Sequence, residues 1–218
     1  MQDKPLRLAV WPQYSFISPN MLTGFPTQKD TSWFRQVGTS VFTAFYTLGT
    51  PSQPIGVTAT VVPIINTFYA VPFMSGRGGT LDRIAFEVTT GGGALSVGRC
   101  GIYTNNVSPT TIYPDALVVD GGEFDTTTTG AKTSTISVSL APNTLYWAVF
   151  LCGVSAATIR GITGQGAGGV LSYTSAVGGT TYTEISATQT YGTLPATYPS
   201  GGAVTSATIP MIAVRYSG

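Results

Sequence analysis

From about Ile55 onward, short runs of β-branched and aromatic residues alternate with clusters of Gly, Pro and Asn at hairpin spacing. Successive side chains on a strand point to opposite faces, so apolar residues at every second position mark one buried face. Leu81–Thr90 has this pattern, with Ile84, Phe86 and Val88 facing one way and Arg83 and Glu87 the other. Thr133–Leu140 repeats it, with Ile136, Val138 and Leu140 inward and Thr135, Ser137 and Ser139 outward. Leu145–Cys152 is apolar on both faces and is expected in the middle of a sheet. Val57–Val62, Asn66–Phe73, Val97–Tyr103, Leu117–Val119 and Ile209–Tyr216 supply further strands. Within these, Val71-Pro72-Phe73 suits an edge or a strand end, because proline has no N–H to donate. Strands at this spacing, with no convincing helix among them, predict an all-β fold: an antiparallel two-layer sandwich of jelly-roll type.

Composition narrows the chemistry. Charged residues make up 9% of the chain, against the usual ~25%, and Thr, Ser, 27 Gly and 14 Pro stand in their place. The net charge of +1, without a basic stripe, implies no nucleic-acid partner. The absence of histidine excludes Ser-His-Asp and Cys-His catalysis and His-ligated zinc. No cofactor, no metal and no enzymatic activity are expected. The start, MQDKPLRLAVWPQ, lacks the apolar core of a signal peptide, so synthesis in the cytoplasm without a signal peptide is expected. The longest apolar run, Leu145 to Val154, is far short of the ~20 residues of a membrane helix, so no membrane insertion is expected.

Residues 1–50 differ from the rest. Pro5, Pro12, Pro19 and Pro26 favour an extended path, and the stretch is loaded with aromatics. We expect an N-terminal anchoring arm over 1–50, docking through Trp11, Tyr14, Phe16, Phe25, Trp33 and Phe34, ahead of a sandwich domain over 51–218. One segment stays open between helix and strand: Asp30 could cap a helix with Phe34, Val37, Val41 and Phe45 on one face. Gly161–Thr208 is nearly all Gly, Thr, Ser, Ala and Tyr, and Glu184 is its only charge. Tyr173, Tyr182, Tyr191 and Tyr198 recur there about nine residues apart, the candidate residues for a glycan-stacking or subunit-interface surface, against the plainer alternative of an ordinary Tyr/Thr-rich β-surface.

Three smaller motifs weigh less. Gly164-Gln165-Gly166-Ala167-Gly168-Gly169 matches G-x-G-x-x-G, but no helix pattern follows to present an N-terminus to a pyrophosphate. Asp115, Asp120, Glu123 and Asp125 cluster in eleven residues, which reads as a solvated turn or a partial cation site. Cys100 and Cys152 both sit in strand-like segments, where buried free thiols are the default and a disulfide is the alternative.

The middle of the chain resembles a β-sandwich domain of tailed-bacteriophage structural proteins. The likeness runs from Asn66-Thr67-Phe68-Tyr69-Ala70-Val71-Pro72-Phe73 and Thr80-Leu81-Asp82-Arg83-Ile84 through Glu87-Val88-Thr89-Thr90 and Arg99-Cys100-Gly101-Ile102-Tyr103. It continues with Pro114, Leu117, Asp120-Gly121-Gly122-Glu123, Leu140-Ala141-Pro142 and Leu145-Tyr146-Trp147, so that it covers about residues 66–160. The resemblance implies a non-enzymatic virion protein displayed on the particle surface, a short tail fibre or receptor-binding component. The alternative is a capsid decoration (cement) or head-fibre protein. Expected partners are further copies of itself as a homotrimer, other tail or capsid proteins, and a host cell-surface glycan.

Overall fold

The computed structural model describes residues 35–37, 45–47, 58–75, 78–106, 112–162, 184–205 and 208–217. All of these belong to one compact unit, Thr31–Gly218. Every regular element among them is a strand, and the strands form two antiparallel sheets packed face to face.

In chain order the strands are β1 (Arg35–Val37), β2 (Phe45–Thr47), β3 (Thr58–Val61), β4 (Thr67–Met74), β5 (Gly79–Thr90), β6 (Val97–Asn105) and β7 (Pro114–Asp125). They continue as β8 (Gly130–Leu140), β9 (Leu145–Cys152), β10 (Thr158–Ile162), β11 (Glu184–Thr188), β12 (Ala203–Thr205), β13 (Ile209–Pro210) and β14 (Ala213–Tyr216). One sheet runs β12-β11-β4-β9-β6-β7. The other is built on the long strand β5, which has β8 along one side and both β14 and β10 along the other. Beyond β14 come β2 and then β1, while β10 also carries β3 and β13.

The alternation read in the sequence sets the inner faces. Ile84, Phe86 and Val88 of β5 meet Ile102 of β6 and Ala148 and Phe150 of β9 in the core between the sheets. Phe86 sits at the centre, its ring edge-on to Phe124 at 5.0 Å and to Phe150 at 5.1 Å. β9 is flanked by β4 and β6 and buried along nearly its whole length, as its unbroken apolar run requires. Pro72 lies inside β4, but β11 pairs with only Thr67–Ala70 of that strand. Among the described strands β9 alone pairs with β4 at Pro72, so the missing N–H costs no ladder bond to a described strand on the other side.

One open reading is resolved and one expectation changes. The segment left open between helix and strand is strand where described: Val37 and Phe45 are cross-strand partners in the β1–β2 pair. Through β2, which pairs with β14, the sheet also takes strands from within residues 1–50. The short strand expected at Leu117–Val119 is twelve residues long. It runs through Asp120-Gly121-Gly122, a sequence that reads as a turn but is accommodated by register breaks against β6. At Gly121 a Cβ would stand 2.7 Å from the Cys100 carbonyl oxygen and 2.8 Å from Ile84, so that crossing is open to glycine alone.

Candidate functional site

The second apolar cluster lies on the far side of the six-stranded sheet. Phe68, Ala70, Tyr103, Trp147, Val149 and Leu151 form a face that would be exposed in a bare sandwich. Residues 189–202 cross it as a strap, contributing Leu194 and Tyr198 to the cluster. The strap is held at its backbone by the edge of β7: Leu117 N donates to Ala196 O (2.9 Å) and Tyr198 N to Asp115 O (2.8 Å). Tyrosine hydroxyls hold the rest. Tyr103 Oη donates to Pro195 O and Tyr113 Oη to Pro199 O, both at 2.7 Å. Tyr198 Oη reaches back to Ile185 O at 3.1 Å.

This places two of the four tyrosines singled out in the sequence. Tyr198 is 3% exposed, with its ring against Phe68, Tyr103 and Tyr113, so it has no face free to stack on a sugar. Burial pushes its hydroxyl up from the ordinary tyrosine value, as it does that of Tyr103. Tyr191 is half-buried, its hydroxyl donating to Glu123 Oε2 at 3.1 Å. Tyr173 and Tyr182 lie outside the described residues, as do the arm residues Trp11, Tyr14, Phe16, Phe25, Trp33 and Phe34 and the glycine motif at 164–169.

The acidic cluster is dispersed into separate local roles. Asp120 accepts from Arg99 Nη1 (2.9 Å), from Gly122 N (2.8 Å) and from the strap's Leu194 N (3.0 Å). Asp125 accepts from the backbone and hydroxyl of Thr127 in the turn before β8, and these bonds hold its carboxyl below the usual range. Among the described residues no group of three or more metal-ligating side chains comes together. Cys100 and Cys152 are both buried free thiols. Burial raises both, Cys152 to about 11 and Cys100 further, so neither is a thiolate at neutral pH.

Three features were missed from the sequence. Tyr103 and Tyr113, outside the nine-residue series, are the struts that hold the strap. Glu184 is the second: it is 1% exposed, Oε1 accepts from Thr205 Oγ1 at 2.9 Å, and Oε2 has no hydrogen-bond partner among the described residues. Its burial raises the carboxyl to about 7. Its isolation as the only charge between Arg160 and Arg215 was the available signal.

The third is an apolar end. Ile65 bridges to Cys152, Gly93 N donates to Ser155 Oγ and Ser96 Oγ donates to Ser155 O, which draws loops 62–66, 91–96 and 153–157 together. Ile64 is 67% exposed, Leu95 74% and Val154 63%, with Val62 and Ile65 exposed beside them. None of the three loops holds a charged residue.

Comparison with family models, curated proteins and solved structures finds no match for this chain.

Proposed function

We propose that this chain is a non-enzymatic structural protein of a bacteriophage virion, displayed on the particle surface as a short tail fibre or receptor-binding component. The observation that carries the reading is the contrast between the apolar end and the rest of the sandwich. Elsewhere among the described residues six ionisable side chains serve the scaffold: Arg215 is bidentate on Asp82, Arg160 on Glu87, and Asp120 ties Arg99 to the strap. At the end, five aliphatic side chains on three pinned loops stand in water, which is the character of a surface that meets another protein. Such an end suits a seat on a neighbouring virion protein, with the resemblance across residues 66–160 supplying the kind of particle.

A second reading, a capsid decoration or head-fibre protein, is favoured by one observation. The described residues form a single sandwich, without the elongated shaft that carries a tail fibre outward.

Antibody labelling of intact particles in the electron microscope tests both. Label at the tail supports the first reading, and label over the head supports the second. Unlabelled particles would refute both. In either position, replacing Leu95 and Val154 with Asp should abolish incorporation while leaving the purified protein folded.

A further inference from the structure

Residues 184–205 form one continuous excursion of the chain. It begins with β11, crosses the outer aromatic face as the strap and returns as β12. Its two ends meet: Glu184 and Thr205 are cross-strand partners, and the Thr205 hydroxyl donates to Glu184 Oε1 at 2.9 Å. β12 is three residues long and the outermost strand of its sheet, with Ala203 and Val204 exposed. Among the described strands it pairs only with β11. Just before it, Gly202 N donates to Tyr113 Oη at 2.8 Å.

The carboxyl at this closure is poorly provided for. Glu184 is 1% exposed, and no Lys or Arg among the described residues forms an ion pair with it. Its Oε2 has no hydrogen-bond partner among them. The titratable groups facing it there are two hydroxyls, Tyr69 from β4 and Tyr198 from the strap. β12 presents only Thr205, and β11 holds no other ionisable group. Protonated, the carboxyl is a neutral group with one unsatisfied oxygen. Ionised, it is a buried charge without a counter-charge, and solvation is what relieves it. Parting a three-residue outer strand is the least disruptive way to admit water.

We propose that Glu184 is a proton-operated latch: protonated, it holds β12 closed on β11, and ionised, it releases β12 to let water in. Burial, which raises the carboxyl to about 7, sets the change near neutrality. The closed state keeps its proton up to that value, whereas an open state with the carboxyl in water keeps it only to the ordinary 4.5. Opening is therefore least in acid, grows between those values and levels off above. Release uncovers the backbone edge of β11 at Glu184–Ser186. The latch is independent of where on a particle the protein is displayed.

Segment-resolved hydrogen exchange of the full chain from pH 5 to 8 tests this, each rate divided by that of the unstructured peptide at the same pH. The opening constant of residues 203–205 should rise by about 40-fold between pH 5 and 7, and by only about twofold more at pH 8. Exchange in β9, which is flanked on both sides, should be slower at every pH, because it needs a larger opening. In Glu184→Gln the opening constant of residues 203–205 should stay near the native chain's acid value throughout. Should that variant fail to fold, the native profile still decides. A native opening constant flat with pH would overturn the proposal. So would equal opening constants for residues 203–205 and β9, the mark of global unfolding, or a Gln variant that keeps the native slope.

Discussion

Replacing Glu184 with Gln should stabilise the protein at pH 8 and leave it nearly unchanged at pH 4. Glu184 begins β11 beside β12, and Thr205 is its cross-strand partner and supplies the hydroxyl that reaches its carboxyl. Among the described residues its charge acts on the Tyr69 and Tyr198 hydroxyls, which are neutral where the carboxyl titrates and so do not shift it in return. The carboxyl therefore gives up its proton at about 7 in the folded chain, against 4.5 when unfolded. Between those values the folded state binds more proton than the unfolded, so the contribution of Glu184 to stability falls as pH rises. At ~1.4 kcal/mol per pH unit the loss is about 3 kcal/mol by pH 8. A neutral amide does not suffer it. Urea unfolding of both proteins at pH 4, 5, 6, 7 and 8 measures the difference, in which the other titrating groups cancel. The gain of the Gln variant should grow through pH 5–7 and level off above. A difference that is flat with pH, or largest at pH 4, would refute the assignment of Glu184 as a buried, poorly solvated carboxyl.

Other consequences follow from the packing. Gly101→Ala places a Cβ 2.4 Å from Leu194 and 2.5 Å from the Val119 carbonyl oxygen, so it should cost about 1–3 kcal/mol in urea unfolding and speed amide exchange in the strap. Tyr198→Phe removes the bond to the Ile185 carbonyl and should cost about 1–3 kcal/mol, while surface properties stay unchanged. Cys100 and Cys152 should be inert to a thiol reagent in the native protein and both react once it is unfolded, which counting free thiols by absorbance will check.

The parts of the fold legible in the sequence are those in which burial alone decides. β5 and β8 bury one face each and alternate, and β9 is buried on both and does not. In the turn between β8 and β9 Asn143 takes a left-handed φ of 51°, which Asn tolerates better than most side chains. What could not be read depends on contacts distant along the chain. Asp120-Gly121-Gly122 has turn composition, yet its glycine is required by the close approach of Cys100 from a neighbouring strand. The tyrosine series shows the same limit. A tyrosine can be a binding surface or a strut, and Tyr198 is a strut because Phe68, Tyr103 and Tyr113, from three other segments, converge on it. The apolar end is likewise assembled from three loops far apart in the sequence, each with only one to three aliphatic residues exposed.

The central claim, that this is a displayed virion protein, is tested most directly by quantitative mass spectrometry of gradient-purified particles. The chain should be present in a fixed ratio to the major capsid protein, unchanged by repeated banding and by high salt. A chain abundant in the infected-cell lysate but absent from the particles would contradict it.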